Sequence, residues 1–230
     1  ATVAGGGINN TGNLTLANVA VIDNRTTTTG GGIRSTNTLS IYNSVISGNS
    51  STNSTSGGIS FAGSNLLIAN TTISGNSSSG NGGGMNSSAS VSATITGSTI
   101  SGNTAGAASG GLFLNRGNII NSTISGNTAN GALATEGGGG IRIQAGVNQV
   151  SITSSTITGN TAPNTASGTR SGIWHETGTL TLSNTIVAGN VTQDIQRDGG
   201  TLTSGGFNLI GENTSVETEF PAGTPSGTDY

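Results

Sequence analysis

The chain predicts an all-β fold: a parallel β-helix of about eight coils, with three short strands per coil. Three observations carry that expectation. A motif of the form Asn-x-Thr-Ile-Ser-Gly-Asn, intact or worn, ends at Asn24, Asn49, Asn76, Asn103, Asn127, Asn160 and Asn190. A second marker, Gly-Gly-Ile or a close variant, precedes each copy, and a short apolar/polar alternation lies between the two. Successive asparagines stand from 24 residues apart (Asn103 to Asn127) to 33 apart (Asn127 to Asn160). A period in that range marks stacked units, each of which needs its neighbours to bury its apolar face.

The elements follow in chain order. The marker supplies a first strand, with Ile8, Ile33, Ile59, Met85, Leu112, Ile141 and Ile173 as its apolar residues. The alternation supplies a second, through Leu14 and Leu16, Leu39 and Ile41, Leu66 and Ile68, Ala93 and Ile95, Val150 and Ile152, and Leu180 and Leu182. Period two over so few residues reads as a half-buried strand. The Asn motif supplies a third, with Val21, Ile46, Ile73, Ile100, Ile124, Ile157 and Val187 pointing inward. Gly-Asn pairs then make the corners, since both residues tolerate positive φ. Stacked in register, the seven asparagines are placed to hydrogen-bond as a structural ladder. A worn eighth copy, Ser204 to Gly211, closes the stack at about 38 Å on the roughly 4.8 Å spacing of paired strands.

Composition narrows the function classes. Charged residues make up 7% of the chain, six of them Arg with no Lys, and the net charge is -3. No basic stripe exists to neutralise a phosphate backbone, so nucleic acid is not an expected partner. The absence of Cys excludes disulfides and thiolate metal sites. No apolar run is long enough for a transmembrane segment, and no signal peptide is present. Beginning at Ala1 without Met, the chain reads as a processed or excised piece of a longer precursor. Residues 1–213 are expected to form the β-helix and 214–230 a C-terminal tail, serving as a cap or as a linker to a further region.

The pairing of Gly110 to Leu112 with Asn121 to Asn127 (Asn-Ser-Thr-Ile-Ser-Gly-Asn) resembles the right-handed parallel β-helix repeats of large bacterial surface and secreted proteins, including the polymorphic outer-membrane-protein type. The stretch Asn184 to Asn190, followed by Gly206-Phe207-Asn208-Leu209-Ile210-Gly211, resembles the end of such modules. The likeness covers residues 4–213 and implies a right-handed coil, a pectin-lyase-like fold and an extracellular or cell-surface location. It implies a non-catalytic scaffold, adhesin stalk or self-assembling filament subunit. Self-association end to end, neighbouring domains of a longer chain and cell-surface glycans are the partners that go with it, and no cofactor is expected.

Many pectin-lyase-like proteins act on acidic polysaccharides, so the alternative is a carbohydrate-active or carbohydrate-binding β-helix, either a polysaccharide lyase or a glycoside hydrolase. Such chemistry needs paired carboxylates, or a base beside a cation site. The Asp-Asp, Asn-Thr-Asp and Arg-Ile-Lys runs of those enzymes do not occur here. The candidate catalytic group is Arg142, Arg170, His175 and Glu176, with Glu136 nearby, set on adjacent coils by the long loops before Gly137 and Ser171. Asp194 and Asp198, four residues apart, are candidate Ca²⁺ ligands, although two carboxylates fall short of a full oxygen shell.

Two outward columns are candidate binding surfaces. Successors of the marker Ile point away from the core, which predicts an exposed column in which Phe113, Arg142 and Trp174 lie on three consecutive coils with cation–π spacing. The other column reads Thr72 and Ser74, Thr99 and Ser101, Thr123 and Ser125, Thr156 and Thr158, broken toward both ends. Its regular Thr-x-Ser/Thr pattern gives a third reading, ice binding. The stretched loop from Thr161 to Gly172 marks the end where a ligand is expected.

Overall fold

The computed structural model describes residues 3–87, 92–133, 135–144, 149–164 and 170–221. Among them the chain is a parallel β-solenoid without helices, built of three eight-stranded sheets and a fourth of five strands. The first sheet runs from Ile8–Asn10 to Ile195–Arg197, the second from Leu14–Ala17 to Thr201–Ser204, and the third from Ala20–Ile22 to Leu209–Ile210. Each strand pairs in parallel with its counterpart one coil further on. The coil missing from the alternation pattern enters in register too, with Gly117 opposite Ala93 and Val150.

The expectation of three strands per coil needs one addition. Two-residue strands from Arg25–Thr26 to Thr128–Ala129 form the fourth sheet. Two residues, Ser, Thr or Ala in all but the first strand, carry no period to read, so only the backbone pairing between coils reveals the sheet.

Asn70 to Asn76 shows what each position of the motif does. Asn70 takes φ 50° and turns the chain into the third sheet. Thr71 points inward, where its hydroxyl accepts the Ser44 N–H at 3.3 Å and donates to the Ala69 carbonyl at 2.9 Å. Ile73 is fully buried between Ile46 and Ile100, while Thr72 and Ser74 face outward. Gly75 makes the next corner at φ 61°, and Asn76 follows it into the interior, where it is buried.

There the asparagine ladder forms as the spacing predicts. From Asn24 to Asn190, each side-chain amide donates to the Oδ1 of the next at 2.9 or 3.0 Å. The same Oδ1 also accepts the backbone N–H of the preceding asparagine, as Asn103 does from Asn76 at 2.9 Å. The second amide hydrogen reaches a carbonyl one coil back, Ile73 in the case of Asn103, at 3.0 Å. All four hydrogen-bonding positions of an interior amide are therefore filled, which is what permits full burial.

The Gly-Gly marker is the other half of this contact. A Cβ on Gly84 would stand 2.7 Å from the Gly111 carbonyl oxygen and 3.1 Å from the Asn103 amide carbon. Gly32, Gly58 and Gly140 meet Asn49, Asn76 and Asn160 in the same way.

A second ladder, at the corner between the second and third sheets, was not anticipated. Ser44, Thr71, Ser98, Ser122 and Ser155 are buried hydroxyls, each accepting a backbone N–H from the coil before at 3.1–3.3 Å. At the N-terminal end Ile8, Leu14 and Leu16 are only partly buried. At the other end Val216 and Phe220 join the core, and Ser215 binds the Arg197 N–H and the Ile195 carbonyl. Residues 214–221 thus lie over the last coil, and residues 222–230 of the tail fall outside the described residues.

Replacing Asn103 with Ala strands the Asn76 N–H and the Ile73 carbonyl inside the core, at about 1–3 kcal/mol for each group. The expected loss matches or exceeds the ~2–5 kcal/mol of an Ile100→Ala cavity. Asn24→Ala, in the first coil where the amide is only partly buried, is expected to cost under about 1 kcal/mol. Urea midpoints of the three variants decide it, and equal losses at Asn24 and Asn103 would contradict the ladder's role.

Candidate functional site

The marker strands place Phe113, Arg142, Trp174 and Gln196 in one register column. The stack expected from sequence forms: the Arg142 guanidinium lies 5.2 Å from the Phe113 ring centroid and 4.2 Å from that of Trp174. Arg170 adds a second cation over Trp174, also at 4.2 Å. The column is not exposed, however. Phe113, Arg142 and Trp174 retain 5%, 9% and 3% of their surface. Outward of the strand is not outward of the molecule here, because Arg170 lies over the Trp174 ring and Glu176 and Asp198 close against Arg142 and the indole.

The charges in this cluster pair with one another. Arg142 meets Glu176 through Nε at 2.6 Å and Nη2 at 2.5 Å. Asp198 Oδ2 accepts from Arg170 at 2.8 Å and from the Trp174 indole at 2.9 Å, and Oδ1 accepts from Gln196 at 2.8 Å. Burial raises the Asp198 pKa, but these donors and the Arg170 charge outweigh it and hold the carboxyl below its ordinary value. An open depression of about 280 Å³ remains beside Arg142, Arg170, Trp174, Glu176 and Asp198. Its two carboxylates face guanidiniums already bound to them, so neither stands ready as a free base.

His175 and Glu136 do not join the group. His175 follows Trp174 in its strand, so its side chain takes the inward side, in register with Ile143 and Arg197, and is fully buried. Neither ring nitrogen completes a hydrogen bond. Burial holds its pKa below 6.5 and the Arg197 charge acts in the same sense, while the backbone at Thr177 and Gly178 opposes part of the effect. The Glu136 carboxylate accepts the Leu133 N–H of its own loop.

The two candidate Ca²⁺ ligands are also separated by role. Asp194 is buried and ends the asparagine ladder, its Oδ1 accepting the Asn190 N–H and side-chain amide at 3.0 and 2.7 Å. Its Oδ2 accepts the Glu212 N–H at 2.7 Å. Asp198 belongs to the Trp174 cluster instead. No group of three or more His, Asp or Glu able to hold a metal occurs among the described residues. The Thr-x-Ser/Thr column is in register across four coils and gives way to Val45 on one side and Ile186 on the other. Of the Thr161 to Gly172 loop, residues 165–169 fall outside the described residues.

Sequence reasoning missed Phe207, which is 67% exposed and holds a φ of 59° beside an open pocket of about 490 Å³. An aromatic standing where earlier copies of the motif carry Asn, Gly or Ser was the available signal. Compared with protein-family models, curated proteins and solved structures, the chain matches none.

The buried imidazole has a pH consequence with a definite sign. With a folded pKa below the unfolded 6.5, the unfolded chain binds the extra proton, so stability is complete above about pH 6.5 and falls as the pH drops toward the folded value. Asp198 is lowered from 3.8 and starts to cost stability only in more acidic solution. His175 is the single histidine of the chain, so His175→Ile, which copies Ile143, is expected to flatten the urea midpoint between about pH 7.5 and pH 5. A slope unchanged in the variant would refute the assignment.

Proposed function

We infer that the chain is a non-catalytic structural β-helix of the extracellular or cell-surface kind, a rigid scaffold or adhesin stalk. The carrying observation is the unbroken hydrogen-bonded ladder from Asn24 through Asn190 to Asp194, which ties successive coils by side chain as well as backbone. Such a ladder stiffens a rod along its axis, the direction in which a stalk bears load. The pairing of Arg142 with Glu176 and of Arg170 with Asp198, and the inward turn of His175, also favour a structural role over turnover. The cover of Val216 and Phe220 over the last coil favours a stalk above an end-to-end filament at that face. The surface location and the polymorphic outer-membrane-protein-like affiliation rest on the repeat motifs themselves.

Two measurements test this reading. Sedimentation at high concentration is expected to give one elongated monomer, and growth into longer species with concentration would replace the stalk with a filament. A panel of acidic and neutral polysaccharides is expected to yield no new reducing or unsaturated ends. Turnover that Glu176→Gln abolishes would make the chain an enzyme.

A further inference from the structure

The corner between the second and third sheets carries one positive-φ residue per coil: Asn18, Asn43, Asn70, Gly97, Asn121, Ser154, Asn184 and Phe207, all between 48° and 59°. Asn and Gly tolerate this conformation, whereas a bulky aromatic is strained in it. Phe207 gains no burial in return, since two thirds of it stays in solvent at 67% exposure. Strain held at an exposed aromatic points to a use outside the fold.

Its surroundings define that use. Asn121, Ser154 and Asn184 precede Phe207 in the same corner column, and Ile186 and Leu209, 44% and 42% exposed, lie in the adjoining column of the third sheet. Together they line the pocket of about 490 Å³, a volume within the range of small-molecule sites. No charged residue is among its described lining. Among the described residues the Asn184 amide donates to Ser154 Oγ at 3.0 Å, and the Asn121 amide makes no side-chain hydrogen bond. At roughly 4.8 Å per coil, the column from Asn121 to Phe207 spans about 14 Å.

The geometry points to a binding site for a neutral oligosaccharide of about two or three sugar units, lying along the solenoid axis. A pyranose presents an apolar C–H face and a rim of hydroxyls. The Phe207 ring takes the first, with Ile186 and Leu209 beside it, and the amides and hydroxyl of Asn184, Asn121 and Ser154 take the second. The uncharged lining selects a neutral sugar over a uronate. This site does not depend on whether the rod serves as a stalk.

Calorimetric titration of the full chain with cello-, xylo- and manno-oligosaccharides, with an oligogalacturonide for comparison, tests it. At least one neutral oligosaccharide is expected to bind and the oligogalacturonide is not. Phe207→Asn, which installs the residue five other coils carry at this corner, is expected to weaken binding at least about tenfold while raising the thermal midpoint. Asn184→Ala is expected to weaken binding without that gain. The proposal is overturned if no neutral oligosaccharide binds the unaltered chain, if only the oligogalacturonide binds, or if Phe207→Asn binds as well as the original. A lower midpoint for Phe207→Asn would give the ring a packing role and overturn it too. Dimers that Phe207→Asn dissolves, without glycan affinity, would assign the patch to a second copy.

Discussion

Each coil closes where an asparagine amide enters the space left by a glycine without a Cβ. Gly84 and Asn103, or Gly140 and Asn160, lie so close that any larger residue at the glycine would collide with the amide and with the next coil's backbone. The amide is admitted to the interior only because all its hydrogen bonds are made there, to the asparagines above and below and to backbone. The two most regular markers in the chain are therefore the halves of one contact. Their common period is the period of the solenoid.

From that contact the rest of the cross-section follows. A corner pinned by the amide fixes the register of the third sheet, which brings Ile46, Ile73, Ile100, Ile124 and Ile157 into one buried row. The opposite corner is held by the hydroxyl ladder of Ser44 through Ser155, whose oxygens likewise take backbone N–H groups that the turn would otherwise strand. Identical residues recur because each is the hydrogen-bond partner of its own copy one coil away. Where the series must stop, a different chemistry appears: Asp194, acceptor only, receives the last asparagine and passes nothing on.

Departures from the repeat divide into two kinds. Some are absorbed by the fold, as with the Phe113, Arg142, Trp174 and Arg170 stack, whose rings and charges satisfy one another beneath a loop. A buried ion pair is poor evidence of net stabilisation, but breaking one is costly, so this cluster holds the loops near Gly137 and Arg170 in place. Phe207 is of the other kind, with a strained backbone and an exposed ring.

The sequence by itself determined the solenoid, its inward aliphatic rows and its asparagine ladder, because all three arise from contacts between a residue and its own copy. Periodicity records such contacts directly. Only the tertiary structure decided the fates of the polar candidates. Trp174 and Arg142 sit on the outward sides of their strands, as alternation requires, and are buried because Arg170, Glu176 and Asp198 close against them. His175 is the exception, since alternation two residues after the inward Ile173 carries it into the core, while Asp194 is buried because it receives the last asparagine of the ladder. Strand alternation specifies the side a residue faces, whereas loops that obey no repeat decide whether that side meets water.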